Sequence, residues 1–334
     1  MNKKDTLLLT KSDVEQLLDL DAVLEAVEDG YRSFNKGLVI QPDFIDLHRP
    51  GGNGGLDIKA GTDAGSMRMS IKASSGGYSG NPEKGLPTGI NLVTLYDADT
   101  SAVLCIMDGT YITGCRTAAA GAASVKYLAR KDATKIAMIG AGNQGRRQLR
   151  AIARVRNLTD VYVWNRTPEK VQAYMDEMGA ELGLTMHACA TVEEAVSQAD
   201  IVVTTTRGWN SQNIVEDAFV KPGTHIVGIG TDTPGKQELA PEIFKRAKVV
   251  VDGLCFCKER GDIQHALAKG YMTVDDVHAE IGEIILGEKA GRENDEEITI
   301  FDSVGMPIQD IAMANAIYEG ALKKGLGTVF TFLE

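Results

Sequence analysis

The sequence predicts an α/β fold: a doubly wound parallel sheet joined to a second, α+β part. Three observations carry this. From Ile136 onward, apolar runs alternate with amphipathic segments. The runs are apolar on both faces, as strands covered by helices on two sides must be. The first run, "KIAMIG", leads through a glycine turn straight into a helical pattern, "NQGRRQLRAIARV".

The remaining elements follow in order. "DVYVWN" reads as a strand, and "TPEKVQAYMDEMGAEL" as a helix with Thr167 as N-cap and Pro168 at its first position. "LTMHAC" is a short strand. "TVEEAVSQ" is a helix opened by a Thr191–Glu194 capping box. "ADIVVTTT", "THIVGIG" and "AKVVVDG" are three further strands. Ahead of this region, "KSDVEQLLDLDAVLEAVEDGYRSFNKG" has apolar residues at helical spacing and predicts one or two helices. Residues 51–89 are glycine-rich and read as broken chain. "GINLVTLYDADTSAVLCIMDG" reads as two strands joined by a turn at Asp97 to Thr100, and "YITGCRTAAAGAASVKYLAR" as a helix of small residues. The tail, "EITIFDSVGMPIQDIAMANAIYEGALKKG", predicts a strand and a long amphipathic helix, with Asp302 capping that helix or shaping a pocket.

At 334 residues the chain is long enough for two ordinary domains. A formal net charge of -11 argues against nucleic acid or an anionic membrane as the main partner, since both need clustered Lys and Arg. No uninterrupted apolar run approaches the roughly 20 residues of a membrane span. The N-terminal apolar stretch is too short for a signal segment, so a cytoplasmic protein is expected. The five cysteines, Cys105, Cys115, Cys189, Cys255 and Cys257, are scattered, and no pair of the five histidines has H-x-x-x-H spacing. Reduced cysteines and no bound metal are expected.

Gly140, Gly142 and Gly145 spell G-x-G-x-x-G between strand and helix. In a dinucleotide-binding Rossmann unit the first glycine permits the turn. The second lets the backbone approach a pyrophosphate, and the third lets helix pack on sheet. The helix N-terminus then offers free N–H groups to phosphate. The cofactor site is expected to comprise Gly140, Gly142, Asn143, Gln144, Gly145, Asn165, Arg166, Thr167 and Thr205. Asn165-Arg166-Thr167 stands where an NAD enzyme usually has a carboxylate for the ribose 2′-hydroxyl. Nothing there repels a 2′-phosphate and Arg166 can pair with one, which favours NADP while leaving NAD open.

Four stretches are more specific: "SIKASSGGYSGNPEKGLPTG", "MDGTYITGCRTAAAGAASVKYLARKD", "GIGTDTPGKQEL" and "GRENDEEITIFDSVGMPIQD". With them the chain resembles the ornithine cyclodeaminase/μ-crystallin family from about residue 7 to 330. The last two stretches look most like its branch of archaeal-type alanine dehydrogenases. The resemblance implies a homodimer with a split first domain. Residues 1–115 and 306–334 would bind substrate and form the dimer, and residues 116–305 would form the NAD(P)-binding domain. It also implies site roles. Lys72 resembles the lysine beside the substrate carboxylate and reacting carbon, and Arg116 the arginine that grips that carboxylate. Thr117 resembles a residue that touches cofactor phosphate. Asp232 resembles the acid beside the substrate amino group, with Lys236 near it. Those residue types suit an α-amino or α-imino acid, which needs a fork donor for its carboxylate and an acid–base group for its nitrogen. Which of Lys72 and Asp232 moves the proton stays open.

One region departs from the family pattern. "IQPDFIDLHRPGGNGGLDIKAGTD" has Asp43 after the Gln-Pro pair and Lys59 at the second cationic place, with His48 and Arg49 nearby. Lys59 is expected to bind substrate. The activity implied is NAD(P)-dependent oxidoreduction at the Cα–N bond of a small amino or imino acid, of alanine dehydrogenase or ketimine reductase type. Ornithine cyclodeamination with recycled NAD, and a non-catalytic crystallin-like nucleotide binder, are the alternatives.

Overall fold

The computed structural model describes residues 4–50, 54–76, 78, 80–206 and 213–332. Gly77 and Ser79, within the first of the four family-like stretches, lie outside the described residues, as does the 51–53 part of the glycine-rich segment. The chain divides into two compact units, Met1–Arg116 with Met306–Glu334, and Thr117–Gly305.

In chain order the first unit contains β1 (Asp5–Leu9), α1 (Lys11–Leu17), α2 (Leu20–Asn35), β2 (Val39–Ile40), β3 (Ile45–His48), β4 (Gly55–Asp63), β5 (Arg68–Gly76), β6 (Asn91–Asp97) and β7 (Val103–Asp108). Helix α3 (Gly109–Leu128) carries the chain onward. The second unit holds β8 (Lys135–Ile139), α4 (Asn143–Val155), β9 (Asp160–Trp164), α5 (Glu169–Leu182), β10 (Thr185–Ala188), α6 (Val192–Gln198) and β11 (Ile201–Thr204). It continues with β12 (His225–Gly228), β13 (Ala247–Val251), α7 (Leu254–Arg260), α8 (Ile263–Ala268), β14 (Ala279–Glu280), α9 (Ile281–Ile285) and β15 (Ile298–Asp302). The chain then rejoins the first unit with α10 (Pro307–Lys324) and β16 (Thr328–Thr331).

In the first unit the strands run β16-β1-β7-β6-β5-β4-β2, with β3 also on β4. Among the described residues of this unit, only β1 and β7 pair in parallel. The broken chain expected over residues 51–89 is, in its described part, mostly a hairpin of two nine-residue strands, β4 and β5. The reason is an inverted pattern. The buried face of this hairpin carries Lys59, Gly61, Asp63, Ser70 and Lys72, while Ile71 is exposed on the other. Helix α10 packs on β4, β5 and β6. Gly61 lets it approach: a Cβ there would lie 3.2 Å from Pro307 and 3.3 Å from Ile311.

Among the described residues of the second unit, eight strands, all parallel, run β10-β9-β8-β11-β12-β15-β13-β14. Strands β8, β11 and β12 are buried on both faces, with Ile136, Val202, Val203, Ile226 and Val227 fully inaccessible. Each such side chain contributes about 1.5–3 kcal/mol of burial. The chain leaves β8 to one side through β9 and β10, then returns to its other side at β11. That reversal sets a topological switch point at the carboxyl ends of β8 and β11, the place where open α/β sheets bind ligands.

Three local expectations change. Helix α5 begins at Glu169, and Thr167 contributes its carbonyl to the Lys170 N–H rather than a side-chain cap. At α6 only half of the capping box forms. Thr191 Oγ1 accepts from the Glu194 N–H at 3.1 Å, but the Glu194 carboxylate accepts from Ala190 N–H at 2.7 Å. Asp302 does not cap α10. It accepts from the N–H groups of Asp262 and Ile263 at 3.1 and 3.0 Å, and so anchors the start of α8.

Candidate active site

In the first unit, β4 and β5 set Lys59 directly opposite Lys72. Two like charges across one strand pair repel. A third element supplies the opposite charge. Asp310, in the first turn of α10, places Oδ2 2.6 Å from Lys72 Nζ. Its other oxygen lies 3.5 Å from Arg116 Nε, contributed by α3. Arg116 also donates to Gln309 Oε1 at 3.1 Å, and Gln309 donates to the Tyr31 hydroxyl. Lys59 lies over the Phe44 ring, 4.3 Å from its centroid. The structure thus brings Lys72, Arg116 and Lys59 together, and adds Asp310, which the sequence reading did not single out.

Lys72 and Asp310 are each only 1% exposed. Burial pushes the Lys72 ammonium down, Arg116 and Lys59 push it further, and Asp310 pulls it back, leaving a pKa of about 7. For Asp310 burial acts upward, but Lys72, Arg116 and Lys59 outweigh it, so the carboxyl stays below its ordinary range and ionised. Two basic side chains, Lys72 and Arg116, thus face one carboxylate. Lys72 Nζ, Arg116 Nε and both Asp310 oxygens lie close, yet none has an aligned hydrogen-bond partner among the described residues. Two buried basic side chains with donors to spare favour an anionic ligand.

The second unit holds the glycine turn. Gly140 has φ +122°, a left-handed conformation, and a Cβ there would lie 2.7 Å from Thr205 Oγ1. Thr205 donates to the Gly140 carbonyl at 3.2 Å. A Cβ on Gly142 would meet nothing, whereas one on Gly145 would sit 2.3 Å from the Gly140 carbonyl oxygen. Helix α4 opens at Asn143 and Gln144 with Gly142 as N-cap, so no side chain caps its first N–H groups. An open backbone approach at a helix N-terminus is what a pyrophosphate requires.

Asn165 uses its amide internally, accepting from Ala141 N–H at 3.1 Å and donating to the Thr167 carbonyl at 2.9 Å. Arg166 and Thr167 are exposed beyond β9. Thr117 is half-buried on α3, and its carbonyl accepts from Gln148 at 2.8 Å. Asp232 lies in the loop after β12, half exposed, with Oδ1 2.5 Å from Lys236 Nζ. That loop is tied down by Gly235 N–H to Gln264 at 2.8 Å and by His265 Nε2 at 2.7 Å from the Lys236 carbonyl. Among the described residues no cluster of His, Cys, Asp or Glu could hold a metal ion.

The sequence profile of the ornithine cyclodeaminase/mu-crystallin family matches residues 4–325. The chain belongs to this family. It is 41% identical to alanine dehydrogenase of Archaeoglobus fulgidus, covering 98% of this chain and 99% of that protein. Among solved structures it is similar to an archaeal alanine dehydrogenase dimer with bound NAD, at a TM-score of 0.92 and 40% identity over 98% of this chain and 100% of that one. It is also similar to Thermococcus litoralis Delta(1)-pyrroline-2-carboxylate reductase in complex with NADH and L-proline. There the TM-score is 0.90 and the identity 35%, over 97% of this chain and 99% of that one.

Proposed function

We propose that the chain is an NAD(P)-dependent oxidoreductase acting at the Cα–N bond of a small amino or imino acid. The observation that carries this is the buried Lys72–Asp310–Arg116 cluster, whose excess positive charge and unaligned donors suit a substrate carboxylate. Relatives along the full length are named for alanine and for pyrroline-2-carboxylate, both of which pair a carboxylate with an α-nitrogen.

The two units divide the work: the first binds substrate and forms the dimer, the second holds the dinucleotide. The glycine turn, the uncapped start of α4, Asn165, Arg166, Thr167, Thr205 and Thr117 would hold the cofactor. Bound, it supplies or accepts the hydride. Arg116 and Lys72 orient the carboxylate and draw electron density from the reacting carbon. Asp232, ion-paired to Lys236, holds or accepts the proton at the substrate nitrogen, with Lys72 as the other candidate.

The phosphorylated cofactor is the preferred form in this reading. No carboxylate stands at position 165, and the neighbouring Arg166 is exposed and can pair with a 2′-phosphate. A cytoplasmic homodimer completes the proposal. All five cysteines are free, as a reducing compartment keeps them, and no described helix is long and apolar enough to cross a membrane.

The test is an assay of purified protein with NADPH or NADH, ammonia and a panel of 2-oxo acids. Stoichiometric oxidation of the nicotinamide is expected. Ammonia release from a diamino acid without net change in nicotinamide absorbance would contradict the reading.

A further inference from the structure

The motif "GIGTDTPGKQEL" contains an acid that the proposed chemistry does not use. Glu238 is fully buried in the second unit. Its Oε1 accepts from Thr206, from N–H at 2.5 Å and from the hydroxyl at 2.6 Å. Its Oε2 accepts from Gly230 N–H at 3.0 Å. Thr206 lies two residues beyond β11 and Gly230 two residues beyond β12, and these strands are parallel neighbours with Thr204 opposite Gly228. One carboxylate therefore ties together two loops at the carboxyl edge of the sheet, beside the glycine turn.

The arrangement is built on both sides. A Cβ on Gly230 would lie 2.2 Å from each Glu238 oxygen, so this glycine makes room for the carboxylate. The glutamate backbone is itself fixed: its N–H donates to Asp262 Oδ1 at 2.8 Å, and Asp262 Oδ2 accepts from Thr231 at 2.9 Å. Burial, and next the neighbouring Asp262 carboxylate, push the Glu238 carboxyl up to about 7. Holding two acids so close in the interior is costly. Apolar packing alone would hold the two loops at less cost, so the carboxylate's three bonds point to a task at the sheet edge.

We propose that Glu238 is a positioning residue that latches the Thr206 loop to the Gly230 loop, and so fixes the platform on which the nicotinamide half of the cofactor rests. This rests on the dinucleotide reading of the second unit. The pyrophosphate and adenosine depend on the turn after β8 and on the end of β9, which Glu238 does not touch. The nicotinamide must then extend across the switch point to β11 and β12, whose ends Glu238 joins. The latch also sets the base of the loop that carries Asp232.

The experiment compares binding of NADH or NADPH with binding of ADP-ribose or its 2′-phosphate, which lack the nicotinamide. The proteins are the full-length wild type and Glu238→Gln. Glutamine keeps the shape but turns one amide NH2 toward a backbone N–H, so at least one of the three bonds is lost. The proposal expects the intact cofactor to bind about 10–100-fold more weakly, the loss of a charge-assisted bond, while the truncated ligand binds as before. If Glu238→Gln does not fold, Thr206→Val removes one arm of the latch and should shift the same ratio, by less. A folded variant that binds both ligands as the wild type does, or loses both equally, overturns the latch. A wild-type protein that binds neither ligand overturns the dinucleotide reading and the latch with it.

Discussion

Lys72 has to hold a charge that its surroundings resist. Burial and the Arg116 guanidinium favour the neutral amine, and Asp310 is what brings the balance back to about 7. Replacing Asp310 by asparagine removes a neighbouring anion, so the lysine should lose its proton more easily. The limb of the kcat/KM–pH profile that reports Lys72 should move to lower pH; a limb that stays put or rises would remove Asp310 from this role. Arg116→Lys keeps the charge but loses the fork, and should raise KM strongly with a smaller effect on kcat. The reverse pattern would mean that Arg116 does not grip the carboxylate. Arg166→Ala should weaken NADPH binding by about tenfold while leaving NADH nearly unchanged. Equal loss of both, or a native preference for NADH, would reject the 2′-phosphate assignment.

At the scale of elements, the glycine turn shows how small a change the fold tolerates. A methyl group on Gly145 would meet the Gly140 carbonyl at 2.3 Å, a backbone contact that no rotamer relieves. Gly145→Ala should push α4 away from β8, at a cost of about 1–3 kcal/mol. Thermal unfolding measures it, and a melting temperature equal to wild type would show that the turn relaxes freely. This turn was legible because strand, glycines and helix are contiguous in the chain. The β4–β5 hairpin was not, because its buried face carries Lys59, Asp63, Ser70 and Lys72, so the apolar alternation that marks a strand points the wrong way. Asp310 escaped for a related reason. In "GMPIQDIAM" it reads as an ordinary first-turn acid of a helix, and only the packing of α10 on β5 sets it against Lys72. Glu238 and Asp262 are 24 residues apart, and nothing local shows that they share one buried site.

For the whole molecule, the first unit leaves an apolar sheet face uncovered. Ile71, Leu92, Ile45 and Leu47 are 42–54% exposed on strands β5, β6 and β3. On β6 and β5 these residues alternate with inward-facing Val93, Leu95 and Lys72. Exposed apolar patches of this kind mark association surfaces, and a symmetric second copy would cover it. Light scattering at micromolar concentration should give a dimer, and Leu92→Glu should give a monomer. A monomeric wild type would contradict the assembly. The central claim, hydride exchange at the substrate α-carbon, is tested most directly by isotope. With reduced cofactor dideuterated at the nicotinamide C4, the amino acid product should carry a single deuterium at Cα for each cofactor oxidised. A product without deuterium, or one formed with no cofactor consumed, would contradict it.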